Sequence, residues 1–453
     1  MHRNILLVLA VATATVASPN VGVSYRSGSS ASIMNLRNKI KTVVIMVMEN
    51  RSFDNLMGGQ TIPGLDNPIQ TGPYCNPLNI SLPDQGSGCA EACDYDSIIN
   101  DPNHSLSGNN LQFYGSFTPD NEAIEAGKLH PNMKGFLTEQ RRLYSGKEKE
   151  EVLKREVLNY YTEKQIPVIT SLSRNYVVFN NWHSDIPGPT NPNRVALCSG
   201  TSAGKGKNDF GYNTMEQKSI FQQATELGRE WKDYLVDTSI QDARWFKWTY
   251  DSNNTNRIVF MDSFYKDAAS GKLPDLAYIN PSCCGLGTNS MHPEGRVSDG
   301  EQLIKDVYEA LRASPQWNEI MWIITFDETG GFHDHVHPPQ ATRPDNLTYT
   351  ETTPTGQDYT FKFNRLGGRM PTWLVSPWVS ASVEQKGRNS DGDAVSYHAT
   401  SILRTLGYLW DFAPYNPRVE KAPSFDHLIG THLRKNAPLR MPKVVNSTTQ
   451  TGQ

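Results

Sequence analysis

The chain has 453 residues, 43 basic against 47 acidic side chains, and a net charge of −4. Balanced charge with no basic patch or tail argues against nucleic acid as the main partner. The length allows two or three domains, or one large α/β domain with insertions.

The start, "MHRNILLVLAVATATVASPN", runs from basic-capable residues through an apolar stretch to the small residues before Ala17. This is the shape of a signal peptide over residues 1–17, cleaved near Ala17. Its apolar run of about 13 residues is short for a membrane span. No later segment approaches about 18 apolar residues, so the expectation is a secreted, extracellular protein. Sequons at Asn79, Asn103, Asn253, Asn346 and Asn446, and formally at Asn50, agree with export. Six cysteines lie at 75, 89, 93, 198, 283 and 284. A local bridge is expected among the first three, because a zinc set would need a repeated C-x-x-C pair. Cys198 suits a small buried residue as well as a paired one.

Residues 18–40 are polar and small, and read as an extended N-terminal arm. "TVVIMVMEN" (42–50) is a short apolar run suited to a strand buried on both faces. Residues 58–121, dense in Gly, Pro, Asn and Ser, form a long excursion of the kind that builds a site. "SGKEKEEVLKREVLNYYTEKQIPVITSLSRN" has helical periodicity with a break at Pro167. "NYVVFNNW" is a strand, and "SDIPGPTNPNRVALCSG" a proline-punctuated turn that enters a helix. "DGEQLIKDVYEALRAS" is an amphipathic helix with Leu303, Val307 and Leu311 on one face. "EIMWIITFDE" and "RMPTWLVSPWV" are further strands, "YHATSILRTLGYLW" a further helix, and 436–453 a polar tail.

Strands alternating with helices predict an α/β domain over 41–435, with a mostly parallel central sheet, helices on both faces and long loop insertions. Ligands of such sheets bind beyond the carboxyl ends of the strands. Glu49-Asn50, Thr190 and Asp327-Glu328 all fall just after predicted strands.

Glu49 and Asn50 in "MENRSFDNLMG" offer hard oxygen donors for a divalent cation. Thr190 in "HSDIPGPTNPNR" stands near a helix start, where N–H groups face a phosphate oxyanion; the same hydroxyl would also suit an N-cap. "IITFDETGGFHDHVHPP" places Asp327 and Glu328 at a strand end, then a Gly330-Gly331 hinge, then His333, Asp334, His335 and His337. "DPNHS" and "TNSMHPEGR" supply His104 and His292.

Together these phrases, with "LPDLAYINP" and "RLGGRMPTWLVSPWV", resemble the phosphoesterase family of bacterial non-haemolytic phospholipases C and related acid phosphatases. They run in family order from about residue 42 to 412. The resemblance implies an alkaline-phosphatase-like α/β core and a divalent metal held by Glu49, Asn50, Asp327 and Glu328. It puts the nucleophile at Thr190 and places His104, His292 and His335 as phosphate or proton-transfer groups, with His398 in "SYHATS" as a further match. It implies a phospholipid or other phosphate-ester substrate, met in transient contact with a membrane surface. Threonine at 190 points to the phospholipase branch over the phosphatase branch. A non-catalytic binding protein on the same fold would have eroded these motifs, and they are intact. Asn50 and Asn103 should then stay free of glycan, since a sugar there would block the site.

Overall fold

The sheet is built around one strand, Thr42–Met48 (β1), whose β-branched and methionine side chains are all buried. In the computed structural model, which describes residues 25–446, seven more strands join it. These are Val177–Phe179 (β2), Trp231–Leu235 (β3), Ile258–Phe260 (β4), Leu276–Asn280 (β5), Ile320–Phe326 (β6), Trp373–Val375 (β7) and Ser382–Glu384 (β8). Their order is β8-β2-β7-β6-β1-β5-β3-β4. All neighbours pair in parallel except β7, which is antiparallel to both β2 and β6. The expected mostly parallel α/β sheet is therefore present. β1, β5 and β6 are buried at every position, as strands covered on both faces must be.

The helices anticipated from periodicity lie over Glu150–Leu158, Pro167–Asn175, Thr190–Ser199, Val297–Ala313 and Ser401–Trp410. Pro167 begins a helix at its first turn, where its missing N–H costs nothing. The long excursion is partly ordered by a hairpin that the Cys75–Cys89 disulfide closes and by the helix Leu106–Tyr114. Cys93 and Cys198 are buried free thiols, and Cys283 is bonded to Cys284.

Two boundaries differ from expectation. The arm is helical over Ser30–Lys39, because Ser29 caps it and Leu36 and Asn35 dock on the domain, Asn35 Nδ2 donating to the Ile429 carbonyl at 2.6 Å. The tail packs as far as Met441: Ala437 and Met441 are buried, and the Tyr308 hydroxyl donates to the Pro438 carbonyl at 2.6 Å. The expected signal peptide lies outside the described residues.

Candidate active site

Because β1 and β6 run parallel with Met48 beside Phe326, they end side by side and deliver Glu49-Asn50 and Asp327-Glu328 to one place. The chain holds the junction with backbone bonds, Glu49 N–H to the Ser290 carbonyl at 2.9 Å and Asp327 N–H to the Met48 carbonyl at 3.0 Å. The Asp327 carboxylate accepts from the N–H groups of Asn50 and Glu328 at 3.1 and 2.8 Å. Asn50 itself is left-handed, with φ 54°. Gly330 and Gly331 are no hinge. Both are buried with φ near +65°, at 62° and 68°, and a Cβ on either would lie 2.4 Å from the Asn50 or Asn103 carbonyl oxygen. They permit the acidic loop to press against the two segments that carry Asn50 and His104.

Glu49, Asn50, Asp327 and Glu328 are all fully buried. One end of the Asn50 amide lies 2.5 Å from Glu328 Oε1 and 3.3 Å from Glu49 Oε2, and the other 3.0 Å from His292 Nε2. With nitrogen toward the carboxylates, hydrogen bonds alone satisfy the amide. With oxygen toward them, three oxygens converge and need a cation among them, while the –NH2 faces the ring nitrogens of His292 and His104, the latter at 3.5 Å. The imidazoles favour the second arrangement. His104 Nδ1 and His292 Nδ1 each lie about 3 Å, at 2.9 and 3.0 Å, from a backbone carbonyl, which can only accept. Each Nδ1 must therefore carry hydrogen, and in the neutral rings each Nε2 offers a lone pair toward the site.

Charge points the same way. Burial first, and then a neighbouring carboxylate (Glu49 against Asp327, Asp327 against Glu328), raises the Asp327 and Glu328 carboxyls well above their usual range; burial also raises Glu49 against the pull of Arg194. Arg194 Nε donates to Glu49 Oε1 at 2.6 Å, Nη1 to Asp242 at 2.7 Å, and Nε stands 3.8 Å from Asp327. Asp327 Oδ2 is buried with no hydrogen-bond partner. One guanidinium against this many buried carboxylates leaves a charge deficit that a divalent cation would fill, and the oxygen donors suit a hard one.

The helix that carries Arg194 also carries Thr190. The helix Thr190–Ser199 begins with Pro189 at its N-cap, so Thr190 is its first residue and does not cap it. Thr190 lies one turn before Arg194, on the same face, and is partly exposed. Asn193 holds the loop leading in, its side-chain nitrogen donating to the carbonyls of Ile186, Gly188 and Pro189. A cleft of about 330 Å³ opens beside this helix start, lined by Asp101, His104, Tyr144, Pro189 and Lys207 among others. A larger cavity of about 610 Å³, between Lys41, Trp231 and Lys272, contains none of these groups.

The Phosphoesterase family model matches residues 40–413, most of the chain and all of these groups. The chain belongs to the phosphoesterase family. It is a hydrolase acting on phosphoric ester bonds. This phosphoesterase is 34% identical to non-specific phospholipase C6 of Arabidopsis thaliana over 89% of its length and 75% of that protein's. It is 33% identical to non-specific phospholipase C1 of the same plant, over 90% and 75%. It is 25% identical to a non-hemolytic phospholipase C of Burkholderia pseudomallei, over 49% and 37%. Among solved structures, a protein of the alkaline phosphatase superfamily from Vibrio parahaemolyticus overlays with TM-score 0.34 and 9% identity, covering 57% of this chain and 64% of that one.

Two groups of the candidate site carry no clear signal in the sequence. Arg194 sits in a polar, proline-rich phrase where arginine reads as surface. Asp101 opens the "DPNH" phrase, and its Oδ2 lies 3.9 Å from both His104 Nδ1 and His292 Nε2.

One expected residue is elsewhere. Both nitrogens of His335 are taken away from the strand-end carboxylates: Nδ1 meets Asp54 at 2.8 Å and Nε2 meets Asp66 at 2.9 Å, with Tyr74 stacked on the ring. Burial works against its cation, but the Asp54 hydrogen bond and charge outweigh it and raise the imidazole. Burial instead drives His333 down to about 3, leaving it neutral. His398 is held by Asp185 at 2.6 Å, beside Thr400. These histidines brace the loops around the site.

Proposed function

We propose that the protein is a secreted phospholipase C-type phosphodiesterase, releasing diacylglycerol and a phosphorylated head group from glycerophospholipids. The observation that carries the reading is the partly exposed Thr190 hydroxyl, one helical turn from the guanidinium that binds Glu49 and Asp327. The plant relatives' names supply the substrate class. A divalent cation held by Glu49, Asn50, Asp327 and Glu328 would acidify a hydroxyl and offset charge on the phosphoryl oxygens.

At the helix start the Asn208 side-chain oxygen takes the Asn191 N–H at 2.8 Å and Pro192 has none, so the N–H of Thr190 itself is the first-turn donor left for the phosphate. Thr190 Oγ1 attacks phosphorus, and the bond to the diacylglycerol oxygen breaks. Nε2 of His292 or His104, whose lone pair takes up the proton that Thr190 releases, hands it to that oxygen, then accepts one from the water that displaces Thr190 and returns it to the threonine oxygen. His335 has no part in these steps.

Two disulfides, Cys75–Cys89 and Cys283–Cys284, support an oxidising, exported setting. No helix among the described residues is long and apolar enough to cross a membrane.

The test is product analysis on phospholipid vesicles and phosphomonoesters, with acid-quench mass spectrometry for phosphate on Thr190. Thr190→Ala should lose several orders of magnitude in kcat, roughly 10³-fold or more, while Thr190→Ser keeps measurable turnover. Release of inorganic phosphate from monoesters, with phospholipids untouched, would replace the reading by an acid phosphatase.

A further inference from the structure

The loop between β5 and His292 carries a feature the proposed reaction does not use. Cys283 and Cys284 are joined to each other, Cys283 buried and Cys284 exposed. Both sulfurs and a ring nitrogen of His292 lie within 4.8 Å of one another. The loop is gathered at its neck, where the Asn289 side-chain oxygen accepts from the Ser282 N–H and hydroxyl, both at 2.9 Å. The Cys283 N–H donates to Ser239 Oγ at 2.8 Å, anchoring the near side. Beyond the neck the chain runs at once into the site: the Ser290 carbonyl accepts from Glu49 N–H, the Met291 carbonyl from Arg51 Nε at 2.7 Å, and His292 follows.

This stretch is held in an unfavourable backbone shape. Cys284 and Met291 both have φ 73° and Glu294 has φ 72°, left-handed conformations that bulky residues avoid unless their surroundings impose them. A bond between neighbouring cysteines closes a small ring through their shared peptide, so it removes rotational freedom where the loop departs from β5. Its sulfurs also supply an apolar wall against the imidazole.

We propose that the Cys283–Cys284 disulfide is a positioning element for His292, and that its reduction lowers turnover by releasing the ring from its place beside Asn50. A dithiol reductant can reach the exposed Cys284 sulfur. Thiolate attack there forms a mixed disulfide, the second thiol of the reductant resolves it, and the two cysteines leave as thiols while the reductant becomes a disulfide. The inference rests on the acid–base role given to His292.

The experiment compares wild type, Cys283→Ser/Cys284→Ser, Cys75→Ser/Cys89→Ser and His292→Ala on phospholipid vesicles, with and without a dithiol, with metal content and thermal unfolding followed in parallel. The Cys283→Ser/Cys284→Ser variant should lose about ten- to a hundredfold in kcat, with KM and bound metal little changed. Reductant should lower wild type and Cys75→Ser/Cys89→Ser toward that level, reversibly on reoxidation, and leave Cys283→Ser/Cys284→Ser unaffected. If Cys283→Ser/Cys284→Ser retains the wild-type kcat while His292→Ala is inactive, the positioning role is wrong. Full activity in His292→Ala removes the acid–base reading and this inference with it.

Discussion

Arg194 stands among Glu49, Asp242 and Asp327 with no solvent to share the load. Removing it leaves carboxylates buried without their counter-charge, a loss of the order of 3–5 kcal/mol in comparable pairs. Arg194→Met should therefore lower the denaturant midpoint strongly, and a midpoint near wild type would show that the carboxylates there are already protonated. A second residue gives a pH signature away from the site. Glu301 accepts from the Ile169 N–H at 2.7 Å through Oε1, while Oε2 is buried without a partner. Burial pushes its carboxyl from an ordinary 4.5 up to about 8. Between those values the folded chain keeps a proton that the unfolded chain has released. Glu301 thus does no harm below about pH 4.5, and stability falls as pH rises through 8, by up to a few kcal/mol. Glu301→Gln keeps an acceptor and should be more stable than wild type above pH 8, with the difference shrinking toward pH 5. Parallel urea curves for both proteins across that range would refute this.

The elements that carry the ligands are short and pressed together, so a single atom in the wrong loop should matter. Gly330→Ala places a methyl 2.4 Å from the Asn50 carbonyl oxygen at φ 62°. We expect bound metal and activity to fall together, with unfolding costs of roughly 1–3 kcal/mol; full metal occupancy would show that Asn50 tolerates displacement. The strong strands were legible because β1 and β6 are continuous apolar runs, and Glu49-Asn50 and Asp327-Glu328 were legible because they end those runs. Weaker signals failed for physical reasons. The arm before β1 looked extended because its residues are small and polar, yet docking through Leu36 and Asn35 makes it a helix. The Gly330-Gly331 pair looked flexible, but its positive φ values serve close packing that local sequence does not display. His333, His335 and His337 look equivalent in a row. Their partners come from residues such as Asp54, Asp66 and Phe136, so only the tertiary fold separates them.

At the scale of the whole molecule, the cluster of Glu49, Asn50, Asp327 and Glu328 would couple stability to metal through the proposed site. Ions bound only by the folded state add RT ln(1 + [L]/Kd), about 2.7 kcal/mol at a hundred times Kd. Dialysis against a chelator should lower the melting temperature and divalent metal should restore it, whereas identical curves would leave the carboxylates without a bound cation. The parallel order of the sheet has a consequence in time. β1 pairs with β5 and β6, whose first residues are Leu276 and Ile320, so its partners arrive only after most of the chain has been made. Contacts so distant along the sequence form slowly and leave apolar edges waiting. A chain emerging from the ribosome has β1 in hand early, with nothing to lay it against. Assembly of the strand-end carboxylates is therefore a late event of folding, and acquisition of metal would time the last step of maturation.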